Sequence, residues 1–117
     1  MLKFYGYKNC SSCRKAEKAL VTAGVEYQYI DITTKPPTKK LLSDILKAGE
    51  YTLKQLFNTS GVQYRELKIK DQLPGLSEAK AVALLAGNGK LCKRPMVTDG
   101  SQTTVGYREN VFASVWC

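Results

Sequence analysis

The chain has no histidine among its 117 residues, and no stretch comes near the ~20 consecutive apolar residues that a membrane span needs. It has no block of five like charges, no internal repeat, no low-complexity tract and no linker-like segment. Each absence removes a class of protein. Without histidine, a zinc site would rest on cysteine alone, and the four cysteines include no second C-x-x-C knuckle. No metal site is therefore expected. The missing apolar run, and an N-terminus without a signal-peptide pattern, lead us to expect a cytoplasmic protein with no membrane partner. The missing charge blocks argue against a nucleic-acid arm, and no sequence-specific nucleic-acid binding is expected.

What remains reads as one domain, at a length that allows a real core. The hydrophobic share of 44% is ordinary. Lysine and arginine number 18 against 10 acidic residues, a net charge of +8. That excess suits anionic partners such as oxyanions or acidic protein surfaces, with most of the lysines lying on solvated helix faces.

The most informative stretch is FYGYKNCSSCRKAEKAL, Phe4 to Leu20. Cys10 and Cys13 bracket two serines between an apolar run and basic helix-formers. In a reducing compartment a structural disulfide framework is not expected. A redox pair, half of a metal site and two small packed residues are the readings to separate. Cys92 and Cys117, 25 positions apart, read as small buried hydrophobes.

Hydrophobic periodicity places the pair. Leu2 to Tyr7 reads as a strand and Ser11 to Ala23 as a helix, with Cys13, Ala16, Leu20 and Ala23 inward. Gly24 stops that helix, and Val25 to Ile32 reads as a second strand. This is a βαβ unit, with parallel strands and Cys10 at the carboxyl end of the first, where open α/β sheets place their chemistry. Pro36-Pro37 then breaks the chain. Thr38 caps a helix carrying Leu41, Leu42, Ile45 and Leu46, which ends at Gly49. Thr52 to Gln55 has capping-box spacing before a short helix over Leu53 to Phe57. Val62 to Ile69 fits either element. Ser77 caps a helix to Ala86 with Val82, Leu85 and Ala86 inward, stopped by Gly87 and Asn88-Gly89. Met96 to Thr98 and Thr103 to Gly106 form a hairpin around Asp99-Gly100. Tyr107 to Trp116 reads as a last amphipathic helix, with Val111 and Val115 one turn apart.

Four segments, YGYKNCSSCRKAEKAL, LFNTSGVQYREL, LCKRP and VGYREN, occur in this order along the chain. Together they resemble the ArsC family, the glutaredoxin-class arsenate reductases and their relatives, which include the Spx and MgsR regulators. The resemblance implies an α/β fold: a thioredoxin-like four-stranded mixed sheet with an all-helical insertion, at about residues 36–90 of a single domain spanning 1–117. It also implies a cis peptide before Pro95, facing the C-x-x-C. The function implied is a thiol-dependent reductase using a Cys10/Cys13 redox pair. The catalytic residues would be Cys10, Cys13 and Arg94, with Arg94 and Arg108 binding an oxyanion. No tightly bound cofactor is implied; glutathione would be the electron donor, with a glutaredoxin or thioredoxin system as partner. The regulator branch implies a different role: a redox sensor that binds the C-terminal domain of the RNA polymerase α subunit. Two features depart from the reductase pattern. Asn58 stands where those enzymes place a third arginine, with Arg65 the substitute seven residues on, and Cys13 adds a second cysteine.

The residues support the redox assignment on physical grounds. A thiolate is the nucleophile, and an ordinary cysteine titrates near ~8.5. At a helix N-terminus Cys10 faces unpaired N–H groups and about half a positive charge, which favour the thiolate. Cys13, one turn on and inward, is the resolving thiol that closes the disulfide. A guanidinium such as Arg94 or Arg108 offers parallel donors to a tetrahedral oxyanion.

Overall fold

The computed structural model describes residues 2–117, which divide into two compact units. The first holds the described residues up to Asp31 together with Arg94–Cys117, and the second is Ile32–Lys93.

The first unit is a four-stranded mixed sheet. Its strands are β1 (Leu2–Gly6), β2 (Tyr27–Asp31), β3 (Met96–Thr98) and β4 (Thr103–Val105), in the order β2-β1-β3-β4. β1 pairs parallel to β2 from Leu2 opposite Tyr27 to Gly6 opposite Asp31. It pairs antiparallel to β3, with Phe4 opposite Val97, and β3 and β4 form the expected hairpin. Helices α1 (Ser11–Thr22) and α6 (Glu109–Trp116) belong to the same unit. Leu2, Phe4 and Val97 from one sheet face pack with Cys13, Ala16 and Leu20 of α1 and Phe112 and Trp116 of α6. Burying such side chains is the main favourable term in holding a helix on a sheet, at roughly 25 cal/mol per Å² of apolar surface. The buried Trp116 indole N–H donates to Thr104 Oγ1 at 2.8 Å, so its polar atom is not orphaned.

Two expectations for this unit need correction, those for Ala23 and Cys117. Ala23 is exposed, because α1 stops at Thr22 and the chain turns away through Gly24 at φ +72°. In α6 the inward stripe is Phe112 and Trp116, while Val111 is 43% exposed and Val115 half-buried. The helix begins at Glu109, and that phase turns the two aromatic rings, which have more apolar surface to bury, toward the sheet. Cys117 is exposed, not a packed core residue.

The second unit is helical, apart from a single antiparallel bridge between Phe57 and Cys92. Its helices are α2 (Lys39–Ala48), α3 (Val62–Glu66), α4 (Ile69–Gln72) and α5 (Glu78–Gly87), with 3-10 turns at Lys54–Leu56, Leu73–Gly75 and Gly89–Leu91. The caps stand where the sequence put them. Thr38 Oγ1 accepts from the Leu41 N–H at 3.1 Å, and Ser77 Oγ from the Lys80 N–H at 3.2 Å. Gly49 closes α2 in the left-handed region at φ +77°. The Thr52 N–H donates to Gln55 Oε1 at 2.7 Å, the backward half of a capping box. The ambiguous segment over Val62 to Ile69 is helical but broken at Lys68, whose φ of 53° ends one helical piece before the next begins. Cys92 is buried, and its thiol donates to the Leu85 carbonyl at 3.4 Å.

Candidate active site

The turn between β1 and α1 is closed by the Cys10 N–H donating to the Tyr7 carbonyl at 3.1 Å. Cys10 is the N-cap of α1, with extended backbone at φ −101°, ψ 117°. Its Sγ accepts from the Cys13 N–H at 3.3 Å. That is the bond a serine or aspartate cap oxygen normally makes, carried here by a sulfur that gains negative charge easily. Arg14 does not reach toward the sulfur; its guanidinium donates to the Lys8 carbonyl at 3.2 Å and braces the turn from outside.

Arg94 comes from the other end of the sequence, immediately before the cis Arg94–Pro95 bond that leads into β3. The bond is cis as the resemblance implied. The Arg94 guanidinium carbon lies 5.2 Å from the centre of the Tyr7 ring, a cation–π contact that sets the orientation of the fork. Its donors and positive charge act on the Cys10 sulfur and favour the charged form.

Electrostatics divide the two thiols. Partial burial works against the Cys10 thiolate. Hydrogen bonds from the Cys13 thiol and amide, with the hydrogen bond and charge of Arg94, outweigh it and hold the Cys10 pKa below that of an ordinary cysteine. Cys13 moves the opposite way, pushed up to about 12. Burial is the largest cause, followed by the interaction with Cys10; the Tyr7 backbone opposes these, the Cys10 charge adds to them, and Arg94 acts against them. Cys13 is only 1% exposed, while Cys10 is half-buried and reachable. The arrangement therefore holds one accessible cysteine whose thiolate is favoured beside one sheltered cysteine whose thiol is favoured. This geometry suits attack by Cys10 followed by resolution through Cys13.

Of the residues singled out in the sequence, Cys10, Cys13 and Arg94 are brought together. Arg108 is exposed at the N-cap position of α6, makes no capping bond, and supplies none of the hydrogen bonds described around the thiols. Asn58 and Arg65 belong to the second unit, where the Asn58 N–H donates to the Leu91 carbonyl at 2.7 Å and Arg65 is exposed in α3. The sequence reading missed Tyr7. An aromatic three residues before the first cysteine was visible, but only the fold brings Arg94 to its ring. Among the described residues no group of three metal-ligating side chains gathers in one place, and no helix is long and apolar enough to cross a membrane.

Replacing Arg94 by alanine removes both a donor and a positive charge from Cys10, so the Cys10 pKa rises and less thiolate is present at neutral pH. Alkylation of Cys10 by iodoacetamide should then slow by roughly three- to tenfold at pH 7, and the rate-against-pH curve should move to higher pH. Peptide mapping by mass spectrometry assigns the adduct. Sulfate should slow alkylation in the unmodified protein and lose that effect in Arg94→Ala.

Comparison with known proteins yields a consistent group. A model of the ArsC family matches residues 5–115. The chain is 44% identical over 115 residues to the uncharacterized protein YusI of Bacillus subtilis, covering 98% of both chains. A solved structure described as "a possible arsenate reductase" from Streptococcus mutans superimposes with a TM-score of 0.87 at 42% identity, covering 92% of both chains. The global transcriptional regulator Spx of Streptococcus pyogenes is 29% identical over 110 residues, covering 94% of this chain and 81% of its own. The α/β fold, a four-stranded mixed sheet with helices, is the thioredoxin-like fold of these structural relatives.

Proposed function

The chain belongs to the ArsC family, and we propose that it works there as a thiol-dependent reductase whose redox pair is Cys10 and Cys13. The observation that carries this reading is the capping bond to one sulfur: the Cys13 amide donates to Cys10 Sγ at 3.3 Å, so the helix start holds an accessible cysteine against a buried one. A structural pair would not need one thiol lowered and its neighbour raised to about 12. Perturbed, oppositely shifted groups in contact are the mark of assigned chemical roles.

The steps balance as a two-electron exchange. The Cys10 thiolate attacks one sulfur of a substrate disulfide, forms a mixed disulfide and expels the other sulfur as a thiolate. Cys13 then attacks Cys10 Sγ, forms the Cys10–Cys13 disulfide and releases the second substrate thiol, which carries away the Cys13 proton. The protein is left oxidised by two electrons and the substrate reduced by two. Glutathione, acting directly or through a glutaredoxin or thioredoxin system in the cytoplasm, restores the dithiol. A disulfide substrate fits better than arsenate. Asn58 replaces the third arginine of the reductase pattern, and Cys13 supplies within the chain the second thiol that those enzymes borrow. Arg94, with Arg108 as the second candidate, would hold an anionic group of the substrate beside Cys10.

The test runs two substrates side by side with glutathione and glutaredoxin: a low-molecular-weight disulfide and arsenate. Consumption of the disulfide, with a Cys10–Cys13 bond found by mass spectrometry after mild oxidation, supports the reading. No turnover of either substrate, or an oxidised product linked through Cys92 or Cys117, overturns it.

The relation to Spx supports a second reading. The match to a transcriptional regulator runs over 94% of the chain. On that reading the same pair is a switch, and the partner is the C-terminal domain of the RNA polymerase α subunit, with the basic surface of the chain suited to an acidic face. Redox-dependent retention of the isolated α domain, without substrate turnover, would favour it over the reductase.

A further inference from the structure

Tyr29 of β2 has a hydroxyl that is sealed from solvent and has no hydrogen-bond partner. A buried, unpaired O–H costs free energy, so its retention calls for a reason. The neighbouring tyrosine on the same face of β2 supplies one. Tyr27 donates its O–H to Glu17 Oε2 of α1 at 2.7 Å. Strand and helix run in opposite directions here, because α1 returns the chain between two parallel strands. Moving from Tyr27 to Tyr29 advances two residues along the strand, about 6.7 Å on one face. Moving from Glu17 back to Cys13 retreats four residues along the helix, about 6 Å on one face. The two steps match in length and direction. Tyr29 therefore stands to Cys13 as Tyr27 stands to Glu17. Its packing agrees: the Tyr29 ring stacks on Phe4 at 5.7 Å and lies against the cluster that contains Cys13 and touches Cys10.

We propose that Tyr29 is the hydrogen-bond donor to the Cys13 sulfur as that sulfur becomes a thiolate in the resolving step. The proposal rests on the redox-pair reading above. In the reduced protein the buried Cys13 thiol stays neutral beside Cys10, a poor acceptor, and the Tyr29 hydroxyl has no partner. Once Cys10 is tied up in a mixed disulfide it no longer carries the charge that Cys13 was bonded to. Cys13 must then give up its proton, attack Cys10 Sγ and displace the substrate sulfur, which leaves as a thiol carrying that proton. The developing charge on Cys13 needs donors in a buried place. The Tyr7 backbone and Arg94 provide part, and Tyr29 completes the set. The phenol stays protonated throughout the neutral range, pushed up to about 12 by burial first and then by Glu17, Cys13, Asp31 and Cys10. The ionisable groups that act on it are thus Glu17, Cys13 and Cys10 from the first helix and its cap, and Asp31 from its own strand.

The experiment uses the full chain with the exposed Cys117 changed to serine, and dithiobisnitrobenzoate as the chromogenic disulfide. The first equivalent of coloured thiolate reports attack by Cys10, and the second reports resolution by Cys13. Tyr29→Phe should leave the first release within about twofold and slow the second roughly tenfold at neutral pH, the size of one hydrogen bond to a charged group. The rise of the second rate with pH should move to higher pH. Thermal stability should hold or increase, since an unpaired buried hydroxyl is removed and the ring is kept. Tyr27→Phe is the control and should leave the second release unchanged. If Tyr29→Phe resolves as fast as the unmodified residue, the role of Tyr29 is overturned while the redox pair stands. If Tyr27→Phe slows the second release equally, the effect belongs to the strand and the proposal is again overturned. A protein with Tyr29 intact that never releases a second equivalent overturns both the proposal and the redox pair.

Discussion

Cys13→Ser should attack a disulfide once and then fail to let go. Cys10 keeps its position at the cap of α1, and a serine at residue 13 retains the backbone N–H that donates to Cys10 Sγ. The first step therefore survives. The second does not, because a serine hydroxyl neither ionises near neutral pH nor displaces a thiolate from a disulfide. Without added thiol, release of the second substrate half should slow by at least roughly a hundredfold, since an intramolecular nucleophile of high effective concentration has been removed. Intact-mass measurement should find one substrate half attached per chain, and peptide mapping should place it on Cys10. Cys10→Ser should carry no adduct at this site. An adduct that clears from Cys13→Ser as fast as from the unmodified protein would transfer the resolving role to another thiol. Putting a hydroxyl into the site of a residue only 1% exposed also lowers stability, by about 1–2 kcal/mol if it finds only a weak partner. The trapping measurement should therefore be made well below the melting range.

What could be read from the chain is what local chemistry decides. The βαβ start, the caps at Thr38 and Ser77 and the left-handed Gly49 each depend on residues within one turn of one another, so sequence spacing is enough. The positions of Cys10 at the cap and of Cys13 on the buried stripe followed in the same way, because a helix N-terminus and an inward stripe are both local. The failures share a cause too. The face that α6 buries depends on where it starts relative to the sheet: two valines one turn apart mark a helix, but Phe112 and Trp116 occupy its buried stripe. Val62 to Ile69 stayed ambiguous because the break is made by Lys68, a residue type that rarely takes positive φ. Tyr7 under Arg94, and Tyr29 one register step from Tyr27, depend on how distant segments come together, and no spacing rule encodes them.

Gly89 is the position where a turn signal concealed a steric requirement, and Gly89→Ala should be the most destabilising of the glycine-to-alanine changes in the second unit. As sequence, Asn88-Gly89 reads only as a helix stop. In the fold Gly89 is buried, and a Cβ added to it would run into the backbone carbonyl of Ile32 and crowd the Thr33 Cα, at 3.0 Å. Every obstructing atom is backbone, so no side chain can rotate away. Moving the Gly89–Leu91 turn instead would disturb what holds it. Asn88 Oδ1 accepts from the Lys90 N–H at 3.1 Å, and Asn88 Nδ2 donates to Gln63 Oε1 at 3.2 Å. The Leu91 carbonyl accepts from Asn58, and the Lys93 N–H donates to Leu56 at 2.8 Å, so the strain would pass to the bridge at Phe57 and Cys92. The clash combines overpacking with lost buried hydrogen bonds, and the loss should reach at least about 3 kcal/mol. For a domain of this size that lowers Tm by about 10 °C or more. Gly87→Ala is the matched comparison. Gly87 ends α5 two residues earlier, and a Cβ there meets nothing within 4 Å. Alanine at that helical position should be neutral or stabilising by up to about 1 kcal/mol. Thermal and urea unfolding of both variants measures the contrast. Equal stabilities would mean that the turn yields to a methyl group and that Ile32 and Thr33 can retreat from it.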